Sequence, residues 1–183
     1  MSDRTIAHAQ QAALGAAARL LNIFDFCGRF EWDKARKGID EMRRKCDEDG
    51  SVLSEETSRT LLYLQAMCNQ GQGDLDGALT IYQSSDLTFV SDVKLGSLEK
   101  DFRVLSALNS ILILRTMGPE ELEKAGNLHT AIESHCSNHR NKSFSAAYFV
   151  TKATANDSKA TIVKTKQYLH SVSDPLTCRC CRS

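Results

Sequence analysis

Apolar residues recur at helical spacing along most of this chain, and short polar or glycine-containing breaks divide them into segments. The clearest unit is Thr57–Ser85. Leu61, Leu64 and Cys68 fall at i, i+3 and i+7, so one side of a helix is apolar. Gly71 and Gly73 break that helix, because glycine enters left-handed backbone conformations without steric penalty. Asp74 can then accept a free backbone N–H and open a second helix carrying Leu75, Ala78, Leu79 and Tyr82 on one face. The pattern predicts an antiparallel helical hairpin. It looks like a tetratricopeptide-type unit, with Ala66, Gly73, Leu75, Ala78 and Tyr82 at the small, turn, bulky, small and aromatic positions.

The same reading extends both ways. Ala9–Cys27 is a long helix, with Leu14, Ala18 and Leu21 on one face and Leu20, Ile23, Phe24 and Cys27 widening it, and Gly28 marks its break. A second helix follows, with Trp32, Ala35, Ile39 and Met42 at i, i+3, i+7 and i+10; this spacing puts Trp32 in the core. Residues 46–54 are polar and form a loop, and Ser54 resembles a helix start. Residues 86–97 are a connection, either a short helix or an ordered loop. Leu98–Thr116 is the most apolar segment; Val104, Leu105, Leu108, Ile111 and Leu112 form a stripe so broad that burial on most sides is expected. Gly118-Pro119 stops it. A helix with Leu122, Ala125, Leu128 and Ile132 then runs to about Cys136, with Glu120 and Glu121 favouring its N-terminal dipole. Two more helices are expected at Lys142–Ala155 and Lys159–Ser171.

About eight helices in about four antiparallel hairpins make an all-α superhelical stack, a tetratricopeptide-like solenoid over residues 1–172 with an unstructured tail at 173–183. Ala35, Ala78 and Ala125 stand 43 and 47 residues apart and mark the expected helix crossings. Tetratricopeptide units repeat at ~34 residues, so these are longer, looser members of the class. Stacked hairpins bury between neighbours the faces that one hairpin alone leaves open. The tail, with Cys178, Cys180 and Cys181, departs from the pattern and carries no capping helix, as in a truncated or fragmentary end.

Composition narrows the function. Of 183 residues, 23 are basic and 23 acidic, which argues against a uniformly basic nucleic-acid binder. No apolar run reaches the ~18 residues of a membrane span. The alanine-rich N-terminus contains Asp3, His8 and two glutamines and reads as a helix rather than a signal peptide, so an intracellular chain with reduced cysteines is expected. No Gly-rich phosphate loop, nucleophile elbow, HExxH or carboxylate–histidine set is present, so neither catalysis nor a cofactor is expected. His135, Cys136 and His139 are metal-ligand types that Cys178, Cys180 or Cys181 could complete, but C-x-C-C is not a standard zinc spacing, and helix-end histidines also complement the helix dipole. Residues 126–183 hold eight basic and three acidic side chains: a solvated face, or a weak contact with DNA or an acidic partner.

A peptide-binding face is the remaining candidate. Tyr63, Met67 and Gln70, at i, i+4 and i+7, form the stripe beside the core face of their helix, and Asn109 interrupts the otherwise apolar fifth helix. An aromatic, a thioether and an amide suit capture of an extended segment; the same side chains could instead pack on the next hairpin.

The runs RTLLYLQAMCNQGQGDLDGALTIYQ (59–83), FRVLSALNSILILR (102–115), HCSNHRNKSFSAAYFVTKAT (135–154) and IVKTKQYLH (162–170) resemble the fungal cohesin loading factor family. The resemblance covers roughly Leu14–His170, about an internal part of the longer family members. It implies a nuclear, non-enzymatic adaptor that sheathes an extended segment of the large loader subunit, reaches chromatin indirectly, and supports cohesin loading and sister chromatid cohesion. The alternatives are a tetratricopeptide-like adaptor of another complex (proteasome lid, signalosome or anaphase-promoting complex) and a small all-α metal protein built on the His/Cys cluster.

Overall fold

Each of the first three helices ends in the same two hydrogen bonds, and these turns shape the first half of the molecule. In a computed structural model, residues 3–89, 97–137, 147–148 and 151 are described. Among them are six α-helices and no strand: α1 Asp3–Gly28, α2 Trp32–Glu48, α3 Glu55–Gly71, α4 Leu75–Tyr82, α5 Ser97–Met117 and α6 Leu122–Ser137, with a 3₁₀ turn at Pro119–Glu121 before α6. The described regular structure is all helical, with neighbouring helices packed together. The chain divides into two compact units, residues 1–87 and 88–183.

In the first unit, α1 closes with Phe30 N–H to the Cys27 carbonyl and Glu31 N–H to the Phe26 carbonyl; α2 closes likewise through Gly50 and Ser51, and α3 through Gly73 and Asp74. This paired pattern needs a left-handed residue just past the helix end. Gly50 (φ +61°) and Gly73 (φ +86°) supply it twice. After α1 the residue is Phe30 (φ +60°), and Gly28, the expected break, stays helical. Gly71 also stays helical, and its use is steric: a Cβ there would lie 2.1 Å from the indole of Trp32. Ser54 caps α3 by accepting from Thr57 N–H (3.2 Å), and Asp74 caps α4 by accepting from Gly77 N–H (3.0 Å), as the sequence predicts for Asp74.

The core of this unit is Ile23 and Cys27 of α1, Ala35, Ile39 and Met42 of α2, and Leu61, Leu64 and Cys68 of α3; Trp32 is half-buried against it. α1 packs on α2, α2 on α3 and α3 on α4, and α1 also touches α3. Polar pairs flank the α2–α3 seam: Gln72 donates to Asp33 (2.8 Å), Arg36 to Asn69, and Arg43 to Gln65 (2.8 Å). The rising number on α2 meets a falling one on α3, so the two helices are antiparallel.

The expected face of α1 is corrected. Leu14 and Leu21 are 71% and 68% exposed, and Phe24 is also exposed; Ala16, Leu20, Ile23 and Cys27 face the core. Both sides of α1 are apolar, and only packing decides between them. The helix also starts at Asp3 rather than at Ala9.

In the second unit, Gly118 (φ +135°) and the 3₁₀ turn join α5 to α6, and the two helices pack together. His135 Nε2 meets Asp101 Oδ1 at 3.1 Å across the pair. In the antiparallel register that contact sets, Val104 stands level with Ile132 and Ile111 with Ala125, all 1% exposed or less. α5 is buried over most of its circumference, as its composition predicts, with Arg103, Ser106 and Ser110 buried among its apolar residues. Two stripe residues depart from expectation: Leu112 and Leu122 are exposed. Tyr148, at 1% exposure, stacks edge-on against His129 (5.3 Å), and Arg115 donates to the Thr151 carbonyl. Ala35, Ala78 and Ala125 are all buried at 1% or less, as small residues at helix crossings should be. The helices expected at Lys142–Ala155 and Lys159–Ser171 lie outside the described residues, apart from helical positions at 147, 148 and 151.

Candidate partner-binding faces

Four residues are candidates from the sequence, and the structure distributes them. Leu61, Leu64 and Cys68 point into the core at 0% exposure, which turns the adjacent stripe of α3 toward α4. Tyr63 is 6% exposed, and its ring sits 5.8 Å from that of Tyr82. Gln70 is half-buried and accepts from the Tyr82 hydroxyl (3.1 Å). Tyr63, Gln70 and Tyr82 thus form one cluster inside the α3–α4 hairpin, packing within their own hairpin. Met67 turns the other way, half-buried against the core of α1–α3. Asn109 belongs to the second unit. It is half-buried on the less covered side of α5, in a row with Leu105, Leu112 and Thr116 at i−4, i+3 and i+7; Leu112 and Thr116 are exposed.

Sequence reasoning missed a larger apolar surface. Leu14, Ala17, Ala18, Leu21 and Phe24 follow a 3–4 spacing along α1, and all are exposed on the side opposite Ile23. At the end of the helix Phe30 is 75% exposed, its ring edge-on to Trp32 at 5.7 Å. A left-handed non-glycine residue costs on the order of 1 kcal/mol or more. Here it aims an aromatic outward at the α1–α2 turn. The signal was present in the sequence as an alanine-rich segment with bulky residues on every side.

The metal-like residues have other tasks where they are described. His135 pairs with Asp101. Cys136 is fully buried, and burial, with Asp101 nearby, pushes its thiol up to about 12. Among the described residues no group of three His, Cys, Asp or Glu could hold a metal ion. His139, Cys178, Cys180, Cys181 and most of the basic stretch 126–183 lie outside them. No helix among the described residues is long and apolar enough to cross a membrane. The described side chains pack neighbouring helices together and leave apolar residues of α1 and α5 exposed.

The model of the cohesin loading factor family matches residues 2–176. The chain belongs to the cohesin loading factor family. No curated protein and no solved structure matches it. Membership in this family supports a role related to cohesin loading, and with it sister chromatid cohesion, chromosome segregation and nuclear function. The cohesin loading factor family is one of non-catalytic loader subunits, and its match covers both units described above.

Proposed function

We propose that this chain is a non-enzymatic scaffold that binds a segment of the large subunit of the cohesin loader in the nucleus, and so supports cohesin loading onto chromatin and sister chromatid cohesion. Its hairpins form a superhelical, tetratricopeptide-like stack in this reading. The observation that carries it is the open apolar side of α1, where Leu14 and Leu21 are 71% and 68% exposed while the opposite side is packed into the core. A row of that kind offers an amphipathic partner apolar area with few charges to desolvate. Met67 and Gln70 of α3, and Asn109 of α5, add adaptable and polar contacts. The Tyr82 hydroxyl holds Gln70 in place, and the buried Tyr63 ring packs on that of Tyr82.

Two variants test the proposal in a pull-down with the large loader subunit. Leu21→Glu with Phe24→Glu changes the α1 face, and Leu112→Glu changes the exposed row beside Asn109 on α5. Both sets are at least partly exposed, so far-ultraviolet circular dichroism should be retained. At least one of the two should lose partner recovery. Full recovery with both, in folded protein, would remove the scaffold assignment from these faces.

A further inference from the structure

Phe30 stands between the end of α1 and the start of α2, left-handed (φ +60°) and 75% exposed. Glycine takes that conformation without strain, whereas a bulky side chain there is an outlier. Burial does not offset the strain, since the ring meets only the edge of Trp32, with centroids 5.7 Å apart and planes at 73°. Trp32 itself is half-buried against the core, and its indole lies so close to Gly71 that a Cβ there would overlap it. The indole is thus backed by α3, and the two rings form nearly perpendicular walls of an open corner. Asp33 follows directly. It is exposed, accepts from the uncharged amide of Gln72 (2.8 Å), and has no ion-pair partner among the described residues. Asp74, just beyond Gln72, caps α4 and likewise has no ion-pair partner among the described residues. The cations of this turn are already neutralised: Arg29 pairs with Asp25 (3.0 Å) and Lys34 with Glu31 (2.8 Å).

We propose that this corner binds an arginine side chain of a basic peptide segment, the guanidinium stacking on Phe30 beside Trp32 and donating to the Asp33 carboxylate. The pairing of exposed aromatic rings with carboxylates that lack a counter-charge selects the occupant. An apolar side chain would desolvate Asp33 without pairing it, which is costly. An anionic one would be repelled by Asp33 and Asp74. A lysine ammonium is compact and strongly hydrated, so it meets the carboxylate but stacks poorly. The planar guanidinium serves both: its face lies on a ring while its edge donates to a carboxylate. The same attraction already operates on this turn, where Lys34 Nζ lies 5.8 Å above the centroid of the Phe26 ring. A flexible segment reaches the corner readily, because both walls stand at a helix turn and not in a closed groove. The site is distinct from the row Leu14–Phe24 on α1, and it does not rest on the loader-subunit reading.

Trp32 is the one tryptophan of the chain, so its fluorescence and its indole N–H resonance report this corner directly. The full chain is titrated with a capped Gly/Ser peptide carrying a pair of arginines, and with the same peptide carrying lysine or citrulline instead. Citrulline keeps the planar shape of arginine without its charge. The arginine peptide should give a saturable change that weakens as salt is added; the lysine peptide should bind more weakly, and the citrulline peptide should give no saturable change. Phe30→Gly removes the ring and relieves the left-handed strain, so the fold is kept. It should weaken the arginine peptide roughly three- to thirtyfold, the span of a cation–π contact. Asp33→Asn keeps an acceptor for Gln72 but not the charge, and should weaken binding and flatten its salt dependence. No saturable change with the arginine peptide, equal binding of the citrulline or lysine peptide, or undiminished binding to Phe30→Gly would each overturn the proposal.

Discussion

Replacing Gly71 by alanine isolates the contact that lets α2 and α3 approach. The added Cβ would lie 2.1, 2.5 and 2.6 Å from three atoms of the Trp32 indole. Carbon atoms at optimal separation stand ~3.5–4.0 Å apart, so the ring or the helix must shift by more than an ångström. The indole is rigid and half-buried against the core, and the glycine is backbone at a helix end, so neither yields easily. Overpacking of this kind costs ~1–3 kcal/mol. Gly71 has helical geometry rather than positive φ, so alanine also gains up to ~1 kcal/mol of helix propensity. The propensity gain is small at the last helical position, so the net expectation is a loss of about 1–3 kcal/mol, read from urea unfolding by circular dichroism. The sign should reverse in a Trp32→Ala background, where the same substitution meets no ring and only the propensity gain remains. If Gly71→Ala is as stable as the parent, or if its effect is the same with and without Trp32, the steric account of this glycine is wrong.

Two further outcomes follow from burial in the second unit. Leu108 is 4% exposed, so Leu108→Ala should cost ~2–5 kcal/mol; a melting midpoint within a degree or so of the parent would place it outside the core. The Cys136 thiol ordinarily titrates at 9.0 and is pushed up to about 12 by burial. Between those values the unfolded chain has released a proton that the folded chain keeps, so stability should fall as pH rises through that window. Cys136→Ala should flatten the slope, and equal slopes for the two proteins would refute the burial argument.

The helix ends were legible because their causes are local. Asp74 caps with its own side chain, Gly73 supplies a positive φ, and Pro119 lacks the N–H that would extend α5; each acts within a few residues of itself. The broad apolar stripe of α5 and the alanines Ala35, Ala78 and Ala125 were legible for a related reason, since each sits at helical spacing among bulky apolar residues of its own helix. The direction in which a face points is another matter. α1 carries apolar residues all round, and periodicity assigns its stripes no inside or outside; that depends on where α2 and α3 lie. Tyr63 stands beside the core face at the same spacing as Met67, yet α4 buries the first while the second turns toward α1–α3. Phe30 takes a left-handed turn where Gly28 was the local favourite, because the cap must fall where α2 can fold back on α1. Arg36 with Asn69, and Asp33 with Gln72, are separated by 33 and 39 positions in sequence. No local rule links such residues, because their meeting is set by the packing of one hairpin on the next.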